Sequence, residues 1–197
     1  TINNYFELNN NDINIDNQNI YNIGIIGIEK EVKRLDLAVI ILNKLQKLNN
    51  NFKLYSKGHK LNNLNIEKRI QEFDLSNYYY QEHSNNNNIS VDQWIINNNI
   101  SHIISVSDIE SFHYSIISAI NNNCNYYITN WVDIAKTMWR IENIYDNIDD
   151  LITGIIKYNS MNKYDKIDYL KKNKEQCLKI NIEKNDEYFL NRILLEN

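Results

Sequence analysis

Hydrophobic and polar positions alternate along this chain in two periods. Short β-branched runs predict buried parallel strands, and longer stretches with an apolar residue every three or four positions predict amphipathic helices. Residues 20–28 form a run of the first kind, and residues 31–48 follow the second pattern. One predicted face of that helix carries its apolar side chains, Leu35, Ala38, Val39, Leu42 and Leu45. The pattern therefore predicts a strand followed by a helix.

The same alternation continues through most of the sequence. Further strands are predicted at residues 52–55, 78–81, 100–105 and 126–129. Further helices are predicted at residues 66–73, 91–97, 112–120 and 133–140, and everything from residue 147 onwards is predicted to be helical. Strands that alternate with helices of this length form right-handed βαβ units. The predicted fold class is α/β, a Rossmann-like parallel sheet with helices on both faces and a helical C-terminal extension.

The length of 197 residues suits one domain, and no internal repeat or Pro/Gly-rich linker divides it. Residues 1–20 are polar and are predicted to be an extended segment that leads into the domain. Residues 21–145 are predicted to form the Rossmann-like domain. Residues 146–197 are predicted to be a helical extension of the same domain.

The composition is unusual in its residue types. About one residue in five is Asn, there is no Pro and there are only four Gly, fewer than average usage predicts. Asn, Ile, Lys and Tyr have AT-rich codons, so we expect an AT-rich genome; a GC-rich coding sequence would contradict this. Such drift blurs family motifs, and Asn-rich runs are interpreted as plain polar loops.

Charge and cysteine content restrict the classes of partner and compartment. The net charge of -4 and pI of about 5.6 give no basic surface for nucleic acid. Cys124 and Cys177 lie far apart without metal-ligand spacing, which predicts free thiols in a reducing, cytoplasmic compartment. No signal peptide or apolar run of about 18 residues is present, so no membrane span is predicted. Peripheral contact with a membrane stays an open alternative.

The segment from Ser105 to Ile120 is the most informative part of the chain. An apolar stretch, residues 100–104, comes before it, and an amphipathic stretch follows from Phe112. The sequence Glu-Ser-Phe-His at residues 110–113 therefore falls where a strand turns into a helix. In open α/β sheets ligands bind at this place, because the helix N-terminus offers free N–H groups and the positive end of the helix dipole.

Three blocks resemble the C-terminal, donor-binding domain of group 1 (family 4) retaining glycosyltransferases of the GT-B fold. Residues 23–38 are similar to the strand, glycine turn and Lys-containing helix start that open that domain, with Gly27, Lys33 and Arg34. Residues 52–59 resemble the next strand and its glycine-containing end. Residues 100–131 resemble the region around the family's Glu-x7-Glu motif, in which Ser-Asp-Ile-Glu-Ser-Phe-His at 107–113 is similar to one branch of these enzymes. The resemblance covers about residues 20–140.

The resemblance implies roles for individual residues. Lys33 would bind the diphosphate of a nucleotide sugar, with Arg34 beside it sharing that task; the alternative for Lys33 is a solvated charge at a helix start. Glu110 would be the catalytic residue that contacts the transferred sugar, or else an acid that satisfies the helix dipole. The remaining donor-binding candidates are Gly27, Lys57, His59, Ser111, Phe112, His113, Tyr114 and Ser118. Backbone N–H groups of residues 112–114 would approach the sugar and phosphates. His113 either donates to phosphate or packs, while Lys57 and His59 either line the cleft or are solvated.

Two positions depart from the family pattern. Ser118 stands where the second Glu of the motif holds the ribose hydroxyls in relatives. Gly27 or Ile28 stands where relatives often carry a diphosphate-binding arginine. Each lost contact is worth roughly 1–3 kcal/mol if charged. These departures favour a weakened, re-specialised or inactive donor site.

Other polar and aromatic residues receive structural interpretations. His102, inside an apolar strand, is predicted to be a satisfied core histidine, and Trp131 and Trp139 are predicted to pack under the sheet edge. Asp146, Asp149 and Asp150 form no Asp-x-Asp pair, so no metal and no other cofactor is expected.

The resemblance implies the nucleotide-sugar half of a retaining, metal-independent glycosyltransferase that moves a hexose to a glycan, lipid or protein acceptor. An N-terminal domain outside this sequence would bind that acceptor, and activity would depend on it. The rival prediction is a non-catalytic interaction domain that keeps the fold without the donor site. Fold alone does not separate the two.

Overall fold

The computed structural model describes residues 20–27, 31–49, 51–58, 64–83, 89–108, 114–129 and 139–195. Within these ranges the side chains of residues 64, 83 and 180–195 are not described. No helix in the described ranges has the length and apolar content needed to cross a membrane.

Six strands of the described residues form one parallel sheet. In chain order they are β1 (Tyr21–Ile26), β2 (Phe52–Gly58), β3 (Tyr79–His83), β4 (Ile100–Ser105), β5 (Asn125–Thr129) and β6 (Ile144–Tyr145). Their order across the sheet is β3-β2-β1-β4-β5-β6. The chain thus builds outwards from β1 to one edge, then returns to build from β4 to the other, as in a Rossmann fold.

Four helices connect strands β1 to β5, two more follow β6, and together these six described helices cover both faces of the sheet. They are α1 (Leu35–Leu48), α2 (Leu64–Glu72), α3 (Val91–Asn97), α4 (Tyr114–Asn121), α5 (Ile148–Ser160) and α6 (Lys163–Leu195). Buried side chains of α1, α2 and α5 join those of one sheet face in a first core cluster. Buried side chains of α3 and α4, with Cys177 of α6, form a second cluster on the opposite face. The predicted α/β fold with two covered faces is confirmed.

Strand alternation explains why adjacent residues reach different clusters. On β1, Ile23 and Ile25 belong to the first cluster, whereas Gly24 faces Trp94 in the second, which is the largest fully buried side chain among the described residues. An added Cβ at Gly24 would lie 3.1 Å from the Trp94 ring. The glycine therefore allows α3 to pack closely against the sheet.

His102 is buried among aromatic rings in β4, as predicted for a core histidine. Its Nε2 donates to Asn159 Oδ1 over 2.9 Å, and the Tyr21 ring stacks on it at 5.7 Å between centroids. Burial lowers the pKa of His102 to about 4, despite hydrogen bonds at Ser101 and Asn159 that raise it. The imidazole therefore stays neutral at physiological pH.

A buried polar network fastens α6 to the sheet near β5 and β6. The side chain of Asn173 accepts hydrogen bonds from Arg140 (3.0 Å) and Asn143 (3.3 Å) and donates to Asn125 (3.1 Å). Tyr169 of the same helix donates to the Asn143 side chain. Because Asn125, Asn143 and Asn173 are at most 1% exposed, each needs these partners.

Two sequence predictions need correction, and one strand has no counterpart in the predictions. The helix predicted from residue 31 begins at Leu35, because residues 31–33 form a separate 3₁₀ turn and the backbone of Arg34 has a left-handed conformation. The helix predicted to reach residue 140 does not include Trp139 or Arg140, the two residues of that range which the structure describes. Strand β6 was not predicted, since two residues give no readable alternation. Trp139 is buried against Tyr126 as expected, and Trp131 lies outside the described residues.

Candidate functional site

The candidate site lies where β1 and β4 end side by side. Because β1 leads on towards β2 and β4 leads on towards β5, the chain departs in opposite directions from these two neighbours. Ligands of open α/β sheets bind in the crevice at this switch point. The two following segments are joined there, since the Asp108 N–H donates to the Val32 carbonyl over 2.8 Å.

Gly27 follows directly after β1 and has a backbone conformation that favours glycine. Its φ is +81°, and its N–H donates to the Lys57 carbonyl over 2.8 Å. A Cβ at this position would lie 3.3 Å from Cε of Lys33. The aliphatic part of the half-buried Lys33 side chain therefore passes close to Gly27, where a larger residue would crowd it.

Arg34 joins the two segments through its side chain. Its guanidinium lies 2.9 Å from the Asp108 carboxylate and 3.1 Å from that of Asp36. The hydrogen bond to Asp36 is the largest cause that raises the pKa of Arg34, and Asp108 adds to it against the effect of burial. With side chains about one third to one half exposed, each pair contributes only about 0.2–1 kcal/mol. Arg34 thus contacts carboxylates from both segments.

The backbone of Arg34 is also unusual. Its φ of 53° and ψ of 50° are left-handed, and its N–H donates to Glu31 to close the 3₁₀ turn. A non-glycine residue pays about 1–2 kcal/mol for this conformation. The turn separates Lys33 from the axis of α1, so that Lys33 lies over Gly27 rather than on the helix surface.

Lys57 contributes to this region through its backbone. Its side chain is buried, with the ammonium 3.7 Å from the Glu82 carboxylate and 6.0 Å from the centre of the Trp94 ring. Its carbonyl accepts from Gly27 at the end of β1. The carbonyl, more than the ammonium, shapes the turn after β1.

The start of α4 presents two of the predicted residues on one helix face. Tyr114 begins the helix and is 53% exposed, and Ser118 follows four residues later, half-buried. Residues four apart are neighbours on a helix surface. The apolar face, with Ile116, Ile117 and Ile120, is buried in the second cluster.

The other predicted residues, His59, Glu110, Ser111, Phe112 and His113, lie outside the described residues. The structure thus brings Gly27, Lys33, Arg34 and the Lys57 carbonyl together. Sequence reasoning missed Asp108 as part of this region, although it noted the surrounding motif. The signal in the sequence is the pair of opposite charges, Arg34 after β1 and Asp108 after β4, since these two strands are neighbours in the sheet.

Solved structures match this fold, whereas no protein-family model and no curated protein matches the sequence. A point mutant of S. aureus TarM, in complex with fondaparinux, α-GlcNAc-glycerol and UDP, matches with a TM-score of 0.76 and 19% identity over 95% of this chain and 38% of that one. The C-terminal domain of the group 1 glycosyl transferase LpcC from Francisella tularensis matches with a TM-score of 0.61 and 13% identity. That match covers 78% of this chain and 81% of the LpcC domain.

An E. coli trehalose-6-phosphate structure bound with UDP-2-fluoro glucose matches with a TM-score of 0.67 and 10% identity. It covers 88% of this chain and 44% of that chain. The chain thus spans less than half of TarM and of the E. coli protein. At these identities the similarity shows the fold, and the predicted resemblance to the C-terminal half of GT-B glycosyltransferases is confirmed at that level.

Proposed function

We propose that this chain is the nucleotide-sugar-binding half of a retaining, metal-independent glycosyltransferase of group 1 (family 4). It would transfer a hexose to a glycan, lipid or protein acceptor held by an N-terminal domain. One observation carries the proposal: Lys33 passes over Gly27 at the end of β1, at the switch point of a GT-B half.

The chemistry of the donor explains why a lysine is needed there. When the glycosidic bond of a nucleotide sugar breaks, the diphosphate leaves with growing negative charge. A fixed cation stabilises that charge more in the transition state than in the ground state. In our proposal the Lys33 ammonium does this work in place of a metal ion, which makes transfer independent of metal.

The sugar end of the donor would lie at the segment before α4. Glu110 is proposed to accept hydrogen bonds from the sugar hydroxyls, as the catalytic residue. Ser111, Phe112 and His113 are proposed to bring backbone N–H groups to the donor, with Tyr114 at the start of the helix. Lys57 and His59 would border the donor from the end of β2.

A calorimetric titration with nucleoside diphosphates and nucleotide sugars tests the donor site. We expect micromolar to millimolar binding that Lys33→Ala weakens about 10- to 100-fold, the value of a charged hydrogen bond of about 1.5–3 kcal/mol. Lys47→Ala is the matched control, because that exposed lysine lies at the opposite end of α1. Glu110→Ala should weaken only the sugar-bearing ligands. Equal affinity for Lys33→Ala and the parent chain would refute the assignment.

The reaction itself needs a protein that carries both domains. There we expect transfer to continue in EDTA, and NMR of the product to show the anomeric configuration of the donor. Loss of transfer in EDTA would contradict metal independence, and an inverted product would contradict retention. A cytoplasmic location, proposed from the two thiols that the structure keeps free, and peripheral contact with a membrane stay predictions.

A non-catalytic interaction domain is the second candidate, and two observations favour it. The Arg34 guanidinium already contacts Asp36 and Asp108, and Ser118 is shorter than the glutamate expected there. In that case no nucleotide or nucleotide sugar of the panel would bind, although the chain would remain folded. Absence of binding by a folded chain would support the interaction domain and contradict the donor site.

A further inference from the structure

A cavity lies beside β6, the edge strand, which is two strands across the sheet from β4. Its volume is about 300 Å³, at the small end of the range for ligand sites. It lies among β6, the outer side of α5 and the first turns of α6. Three tyrosines line it, Tyr145, Tyr158 and Tyr169.

Gly154 gives this cavity its shape. It lies in the interior of α5, where glycine costs about 1 kcal/mol relative to alanine. A Cβ at Gly154 would overlap the hydroxyl and ring of Tyr145. This glycine, in a chain with only four, thus lets the Tyr145 ring lie against the backbone of the helix.

The tyrosines offer both apolar faces and neutral hydroxyl groups. Desolvation by burial is the largest cause that raises the pKa of Tyr145, Tyr158 and Tyr169, so their hydroxyls keep their protons. Tyr169 uses its hydroxyl on the Asn143 side chain. The hydroxyls of Tyr145 and Tyr158 have no hydrogen-bond partner among the described residues. Tyr158 is almost fully buried, whereas Tyr145 is partly exposed, so the Tyr145 hydroxyl is the one that a ligand can use.

Charged groups of both signs surround these rings. Glu142 and Asp150 bring carboxylates to the lining, and Lys157 brings an ammonium group. The pKa of Glu142 is lowered, first by a backbone hydrogen bond and then by Arg140, which keeps it ionised as an acceptor. A ligand with a single charge would meet a like charge here, whereas an uncharged ligand with many hydroxyls would find acceptors and a donor.

The faces of two rings already carry cations, which disfavours an organic cation as the ligand. The Arg140 guanidinium lies 4.5 Å from the centre of the Tyr169 ring. The Lys166 ammonium lies 5.8 Å from the centre of the Tyr158 ring. A further cation would compete with these contacts and be repelled by them.

We propose that this cavity binds a neutral hexopyranose unit of a glycan, as a second carbohydrate site distinct from the donor site. The sugar would pack against the partly exposed Tyr145 side chain, while its hydroxyls donate to Glu142 and Asp150 and accept from Tyr145 and Lys157. The site would hold a glycan chain beside the sheet edge. It goes beyond the proposed function and does not depend on nucleotide binding.

NMR titration of the 197-residue chain with neutral oligosaccharides tests this site. The probes are maltotetraose, chitotetraose and galactotetraose, with choline and a sulfated tetrasaccharide as charged comparisons. We expect millimolar or tighter binding of at least one neutral probe, with amide shifts concentrated on α5 and the first turns of α6. Thr153→Trp, which places a large ring in the cavity from an exposed position, should weaken binding at least tenfold.

The controls separate this site from the donor site. Lys68→Trp, at an exposed position of α2, should leave oligosaccharide binding unchanged. Lys33→Ala should also leave it unchanged, so that failure of one site is distinguishable from failure of the other. Tyr145→Phe keeps the ring, removes one free hydroxyl and should weaken binding three- to tenfold. The proposal is overturned if no neutral probe binds, if a charged probe binds more tightly, or if Thr153→Trp has no effect.

Discussion

Replacing Gly24 with alanine tests how closely α3 packs on the sheet. The new Cβ would lie 2.6 Å from Cδ1 of Ile103, 3.1 Å from Cγ2 of Ile100 and 3.1 Å from the Trp94 ring. Carbon atoms in contact prefer a separation of about 3.5–4.0 Å. Ile103 must therefore move its end by about 1 Å within a core where it is fully buried.

Two opposing effects determine the size of the change. Overpacking of this kind costs about 1–3 kcal/mol. Alanine also lowers the conformational entropy of the unfolded chain relative to glycine. This effect raises the free energy of unfolding by about 0.5–1 kcal/mol. We expect Gly24→Ala to lower the free energy of unfolding by about 1 kcal/mol. Ile103→Val removes the obstructing methyl group and alone should cost about 0.5–1.5 kcal/mol.

Urea unfolding followed by tryptophan fluorescence measures the coupling between these sites. The Gly24→Ala, Ile103→Val double variant should be at least about 1 kcal/mol more stable than the sum of the single effects predicts. Ile104→Val is the matched control, because the neighbouring Ile104 is buried in the cluster on the other face. If the Gly24 and Ile103 effects add to within about 0.3–0.5 kcal/mol, then Ile103 is not the obstacle and the reasoning is wrong.

Three further predictions concern the switch point, the helix network and the core histidine. Gly27→Ala should destabilise the fold by about 1–2 kcal/mol, since alanine is strained at a φ of +81°; urea unfolding checks this, and unchanged stability would contradict it. Asn173→Leu should cost about 1–3 kcal/mol for each buried partner left unsatisfied, again read from urea unfolding; a neutral result would show that its partners find other hydrogen bonds. His102 has a native pKa of about 4 and an unfolded pKa near 6.5, so its stabilising contribution is full above pH 6.5 and is lost as the pH falls towards 4. In His102→Gln, proton uptake on unfolding at about pH 5 should fall by roughly one, and an unchanged slope of stability against pH would refute this.

The spacing of hydrophobic residues along the sequence predicted most of the strands and helices of this fold. The strand at Ile100–Ser105 and the helix at Val91–Asn97 agree with the structure residue by residue. Long apolar runs and helical spacing are local signals, so they survive a composition dominated by Asn and Ile. The alternation of strands and helices then restricted the sheet to parallel order, and the structure confirms it.

Features that depend on contacts between distant residues were not predictable in the same way. Arg34, with its left-handed backbone, pairs through its side chain with Asp108, which lies 74 positions along the chain. Strand β6 exists because Ile144 and Tyr145 lie beside Ile128 and Thr129, and two residues carry no period of their own. The cavity beside β6 is lined by residues from β6, α5 and α6, so it depends on how these elements pack and has no local sequence signal.

The polar fastening of α6 has a consequence for how that helix is registered on the sheet. Apolar contacts tolerate sliding, but a shift of α6 by one turn would leave the amides of Asn125 and Asn143 inside the protein without Asn173, at about 1–3 kcal/mol each. The helix therefore has one axial position. Its backbone continues 22 residues beyond Asn173, about 33 Å at 1.5 Å per residue. Asn125, Asn143 and Asn173 thus fix the axial position of a helix that is longer than any described strand of the sheet.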